Sequence, residues 1–140
     1  MAPPGENNIS ILLTTMKPSL DPTTYVFLTT KSPLDSLPLS TLQPQLIVQE
    51  EEGTTIVTTE ALATSHDFNE STFPCKKISL TIHSSLEAVG LIAAITNRLK
   101  DHGISTNVAS GYFHDHIYVP VAKAEDAMRV LGEIAAEARG

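Results

Sequence analysis

The sequence predicts an α+β protein with antiparallel sheets covered on one face by helices, and three observations in its second half carry that prediction. A strand-like run with period two gives way to a run of helical period. Two further strand-like runs then meet at a glycine, and a second helical run closes the chain.

Taken in order, Lys76–His83 (KKISLTIH) alternates, with Ile78, Leu80 and Ile82 on one face and Ser79, Thr81 and His83 on the other. Ser84 followed by Glu87 reads as a capping box, and Ala88, Leu91, Ile92, Ile95 and Leu99 then recur on one side of a helix that Gly103 stops. The opposite side carries Gly90, Ala93 and Ala94, which suit either plain helix filling or a close backbone contact. Ile104–Ser110 and His116–Val121 read as two strands joined near Gly111, and Ala124, Ala127, Leu131, Ile134 and Ala138 mark the closing helix. Strand, helix, strand, strand, helix is the ferredoxin-like β-α-β-β-α-β unit without its last strand.

An uncovered sheet edge invites unwanted pairing, so the missing strand is expected from the N-terminal half. Ile9–Met16 (ISILLTTM), Thr24–Leu28, Gln45–Glu50 and Thr54–Thr59 all read as strands there, with Gly53 turning between the last two. Ile9–Met16 is the expected donor. Pro33, Pro38 and Pro44 rule out a long helix over Lys31–Pro44, Glu60–His66 reads as a short helix, and Asp67–Pro74 reads as a linker.

Composition narrows the function. The 140 residues are 41% hydrophobic and 18% charged, as in a globular protein, and the net charge of -7 without a Lys/Arg cluster argues against a nucleic-acid partner. Cys75 is the only cysteine, which excludes a disulfide scaffold and a cysteine-based zinc site. Met1–Gly5 lacks a basic segment leading into an apolar one, and no apolar run approaches the roughly 20 residues of a membrane span. A cytoplasmic protein without membrane contact is expected.

The segments TTMKPSL, YVFLTT, QEEEGTTIV, HSSLEAVGLIAAI, GIS followed by NVASGY, and FHDHIYVP together give the chain a family likeness. It resembles small stand-alone proteins made of paired ACT domains, the amino-acid-sensing modules of metabolic enzymes, in the superfamily that includes aspartokinase-type ACT domains and the cytosolic arginine sensors. The resemblance implies two ferredoxin-like units in tandem, often intertwined so that a strand from one half completes the other. It places an abbreviated N-terminal unit over 1–70 and a C-terminal ACT domain over 71–140. It further implies a non-catalytic protein that needs no cofactor, binds a small molecule of the amino-acid class, and forms a homodimer or associates with a regulated protein.

In a ferredoxin-like sheet the end of the first strand, the start of the first helix and the start of the third strand share one edge. His83, Ser84, Ser85 and Leu86 are therefore expected near His114, Asp115 and His116. Free N–H groups at a helix start at Ser84–Leu86 suit a ligand carboxylate, and Asp115 suits an ammonium group. Asn107 is also assigned to this ligand-binding set. Against it stands plain turn and cap chemistry, with Ser84 capping its own helix and Asp115 its own turn.

Two other chemistries compete. His114, His116 and His83 with Asp115 offer nitrogen and oxygen donors for a metal, but two local histidines without a second motif favour structural roles, and no metal is assigned. Cys75 has no activating neighbour, Glu50–Glu52 read as a solvated hairpin end, and no nucleotide-binding or hydrolase motif occurs, so no catalytic residue is assigned. An oligomerisation module with a vestigial pocket and a small metal-dependent enzyme remain the alternatives to a ligand-binding module.

Overall fold

A computed structural model of the chain describes residues 8–82 and 89–140. The chain forms two compact units: a central one, Thr23–Cys75, and a terminal one made from both ends, Met1–Pro22 with Lys76–Gly140. The expected boundary at residue 70 falls one residue before β5 (Ser71–Thr81), a strand whose first half lies in the central unit and whose second half lies in the terminal one.

The central unit is a complete β-α-β-β-α-β run. Strand β2 (Tyr25–Thr30) leads through a 3-10 turn (Leu34–Ser36) and a one-turn helix α2 (Leu39–Leu42) to the hairpin β3 (Leu46–Glu50) and β4 (Gly53–Thr59). Helix α3 (Glu60–Ser65) follows, its start capped by the Thr59 hydroxyl accepting from Leu62 N at 3.1 Å, and then comes β5. The strand order is β3-β4-β2-β5. Prolines confine helix α2 to Leu39–Leu42, as the sequence implies. Val26, Leu28, Leu42, Ile56 and Ala63 form the core. Thr58, fully buried, donates its hydroxyl to Leu42 O at 2.6 Å and so ties the end of α2 to β4.

The expected linker over residues 67–74 is in part strand. Ser71 and Thr72 pair with Leu28 and Phe27 of β2, and Cys75 pairs with Tyr25 across a register shift. Phe73 takes a left-handed φ of 56° at this bulge and stacks edge-to-face on Phe27 at 5.8 Å. The bulge lets a proline-containing segment stay in the sheet.

The terminal unit corrects a second expectation. Ile9–Met16 is not the donated strand: Ile9–Thr15 is helix α1, begun by Asn8, whose side chain accepts from Ile11 N at 3.2 Å. Ile9, Leu12, Leu13 and Met16 recur at helical spacing, and all four pack in or against the terminal core, whereas Ile11 is 49% exposed. The strand that completes the unit is the next one, β1 (Lys17–Leu20), antiparallel to β5 from Lys17↔Thr81 to Leu20↔Ile78.

With α4 (Leu91–Asp101), β6 (Asn107–Ser110), β7 (Asp115–Pro120) and α5 (Ala124–Arg139), the terminal strand order is β1-β5-β7-β6. Ile78, Leu80 and Ile82 at the end of β5 and Ile117 and Val119 of β7 face one core. They share it with Leu12 of α1, with Leu91, Ile95 and Leu99 of α4, and with Val130, Leu131 and Ile134 of α5. Arg98 of α4 and Glu137 of α5 add a two-pronged ion pair at 2.6 and 3.0 Å.

Candidate functional site

The site expected from the sequence lies in the terminal unit, where β5 ends and β7 begins. At the end of β5 the chain turns sharply, with Ile82 N donating to Leu80 O at 2.7 Å. His83, Ser84, Ser85 and Leu86 lie outside the described residues. The helix start, however, does not coincide with the capping box: α4 begins at Leu91, with Gly90 at its N-cap in a left-handed conformation (φ 94°). The free N–H groups of α4 therefore sit several residues beyond Ser84–Leu86.

The other wall is the β6–β7 hairpin. Ser110 pairs with Asp115, Gly111 N donates to His114 O at 2.9 Å, and Tyr112 and Phe113 form the two-residue tip. A Cβ on Gly111 would sit 3.0 Å from His114 O, so the tight turn favours glycine. His114 Nδ1 lies 3.4 Å from Ile82 O, which brings the hairpin turn to the end of β5 as the fold requires.

Side-chain direction divides the expected residues. Asp115 is half-buried and shares its face with Ile117 and Val119, on the helix side of the sheet. Asn107 pairs with Tyr118 at the far end of the hairpin, so it projects from the opposite face. The structure thus brings His114 and Asp115 to the end of β5 and leaves Asn107 apart. His116 also faces away from the helices, hydrogen-bonded through Nδ1 to Ser79 Oγ at 2.8 Å. Burial lowers its pKa, the nearby Lys77 and His114 charges lower it further, and Asp115 opposes them. His114, in the turn before β7, and His116, in the strand, thus have different partners, Ile82 O and Ser79 Oγ. Among the described residues no three His, Cys, Asp or Glu side chains gather as a metal set.

Cys75 is fully buried and donates to Tyr25 O at 3.4 Å, and burial pushes its thiol up to about 12. Such a thiol is a poor nucleophile.

Sequence reasoning missed a feature of the central unit. The loop 30–34 closes against the β3–β4 turn around a depression of about 510 Å³ that includes Lys31, Glu50, Glu51 and Glu52. Gly53 carries the signal: a Cβ there would lie 2.8 Å from Thr29 Oγ1 and 3.0 Å from Thr30 O, so the turn packs directly on the end of β2. In the order of strands this is the same end of the unit as Ile82 and His114 occupy in the terminal one.

Comparison with known proteins agrees with this architecture. Two ACT domain models match the chain, one over residues 4–76 and the other over residues 70–133. A protein of unknown function from Vibrio cholerae, VC0802, described as a possible transport protein, is 41% identical, with a TM-score of 0.80 over 91% of this chain and 95% of that one. The regulatory subunit of aspartate kinase from Thermus thermophilus, solved ligand-free, shares the fold at 14% identity, with a TM-score of 0.63 over 86% of this chain and 96% of that one. Aspartokinase III of E. coli, solved with aspartate and ADP, shares it at 14% identity and a TM-score of 0.59 over 84% of this chain and 32% of that one. No curated protein matches. With two ACT models spanning it in tandem and a ferredoxin-like strand order in each unit, the chain belongs to the ACT domain family.

Proposed function

We propose that this protein is a non-catalytic regulatory module of the cytoplasm that binds an amino acid at the end of the terminal unit. The observation that carries the reading is the placement of the His114–Asp115 turn beside Ile82, with Asp115 half-buried on the helix side of the sheet. Asp115 accepts the ligand's ammonium group, His114 holds the turn, and residues 83–86 supply donors to its carboxylate. Asn107 takes no part. Ligand binding reports amino-acid concentration by favouring one state of the module over another, in a homodimer or with a regulated protein. The solved aspartokinase with bound aspartate supports the ligand class, and the inert Cys75 supports the absence of thiol catalysis.

A thermal-shift screen against the twenty amino acids tests this. A ligand present at a hundred times its Kd adds about 2.7 kcal/mol to the stability of the state that binds it. A saturable rise with one amino acid, lost in Asp115→Ala while the unliganded melting curve stays put, is the expected result. Indifference to all twenty would favour an oligomerisation module instead.

A further inference from the structure

We propose that the ligand of the terminal site is an amino acid with a large apolar side chain, aromatic or branched aliphatic, and that Tyr112, Phe113 and Val89 select it. The inference rests on the ligand reading above and supplies the part of the ligand that reading leaves open. In that reading Asp115 and residues 83–86 meet the ammonium and carboxylate groups that all amino acids share, so discrimination falls to the groups that meet the side chain.

Exposure points to those groups. Among the described residues the three most exposed large hydrophobic side chains are Val89, Tyr112 and Phe113, at 84%, 61% and 58%, and the next, Ile11, is 49% exposed. All three belong to the two segments that wall the site. Val89 lies in the connection between β5 and α4, one residue before the Gly90 N-cap, and the aromatic pair is the tip of the β6–β7 turn. The chain has three tyrosines and four phenylalanines, and the other five rings are buried or packed on a neighbour. Tyr25 and Tyr118 are buried, Phe27 and Phe73 stack on each other, and Phe68 packs against the central core. Rings left in water forgo hydrophobic stabilisation that an apolar ligand covering them would restore.

The turn holds the pair beside the polar contact. Gly111 N donates to His114 O at 2.9 Å and closes the tip on two residues, whose rings rest edge-to-face with centroids 4.9 Å apart. Phe113 is two residues before Asp115, a span of at most about 7 Å along the backbone. A ligand with its ammonium group on Asp115 therefore carries its side chain within reach of the tip. Ser110–Phe113 contains no charged side chain, so a charged ligand side chain meets no opposite charge there, and alanine has too little apolar area to cover the rings.

Titration calorimetry of the full chain with phenylalanine, leucine, alanine, aspartate and lysine tests the inference. Phenylalanine or leucine is expected to bind at least about tenfold more tightly than the other three. Its binding should grow more exothermic with temperature, as burial of apolar surface requires. Joint substitution Tyr112→Ser and Phe113→Ser should reduce the preference over alanine to within about threefold with unchanged circular dichroism, and Val89→Ser should reduce it in part. Val48→Ser, at an exposed apolar position of β3 in the central unit, should leave the preference as it is. Alanine, aspartate or lysine binding as tightly as phenylalanine and leucine overturns the inference and leaves the ligand reading standing, as does a preference that survives the joint substitution. If none of the twenty amino acids binds, the ligand reading falls and this inference falls with it. If the joint variant fails to fold, Tyr112→Ser and Phe113→Ser made singly decide the matter.

Discussion

Replacing Leu12 with alanine tests the helix that the N-terminal segment forms. Leu12 is 2% exposed in the terminal core, and truncation to alanine removes about three carbons' worth of buried side chain. At about 0.8 kcal/mol for each buried carbon the transfer loss is about 2.4 kcal/mol. The cavity left behind raises the total to about 3–4 kcal/mol, within the range measured for buried leucines. For a chain of this size that is a fall in Tm of about 10 °C. Ile11, one residue earlier and 49% exposed, should tolerate alanine to within about 0.5 kcal/mol. Urea unfolding followed by circular dichroism measures both. A strand over Ile9–Met16 would put Ile9, Ile11 and Leu13 on one face, so an Ile11→Ala cost equal to that of Leu12→Ala would refute the helical assignment.

Two further outcomes are expected. Thr58→Val keeps the shape of the side chain but leaves Leu42 O without its hydroxyl donor, and should cost about 1–3 kcal/mol in a urea titration. The lowered pKa of His116 gives stability a pH dependence: below about 6.5 the unfolded chain takes up a proton that the folded chain resists, so stability is lost as pH falls from there through the folded value. His116→Gln should flatten the change in urea midpoint between neutral and mildly acidic pH.

The terminal fold is readable in the sequence because its periods are clean. Ile78, Leu80 and Ile82 alternate, and Leu91, Ile95 and Leu99 recur every four residues, as half-buried strands and one-sided helices must. Ile9–Met16 misleads because a short apolar run satisfies both periods, and only the packing of Leu12 and Met16 decides between them. The strand content of Ser71 to Pro74 is hidden by Pro74, which signals a break unless a bulge such as that at Phe73 absorbs it. Within the candidate site, the meeting of His114 with Ile82 follows from topology alone. The separation of Asn107 from Asp115 depends on register, which a one-residue slip would reverse and which local sequence specifies weakly.

The origin of β1 also orders events during synthesis. The central unit is one unbroken stretch of chain, so all its strands are available once Cys75 has left the ribosome. Helix α1 and β1 emerge before it, yet the surfaces that receive them, β5, α4 and α5, are made later. These early-translated residues are thus among the last to find their places, and Leu12 and Met16 stay exposed in the nascent chain until α5 arrives.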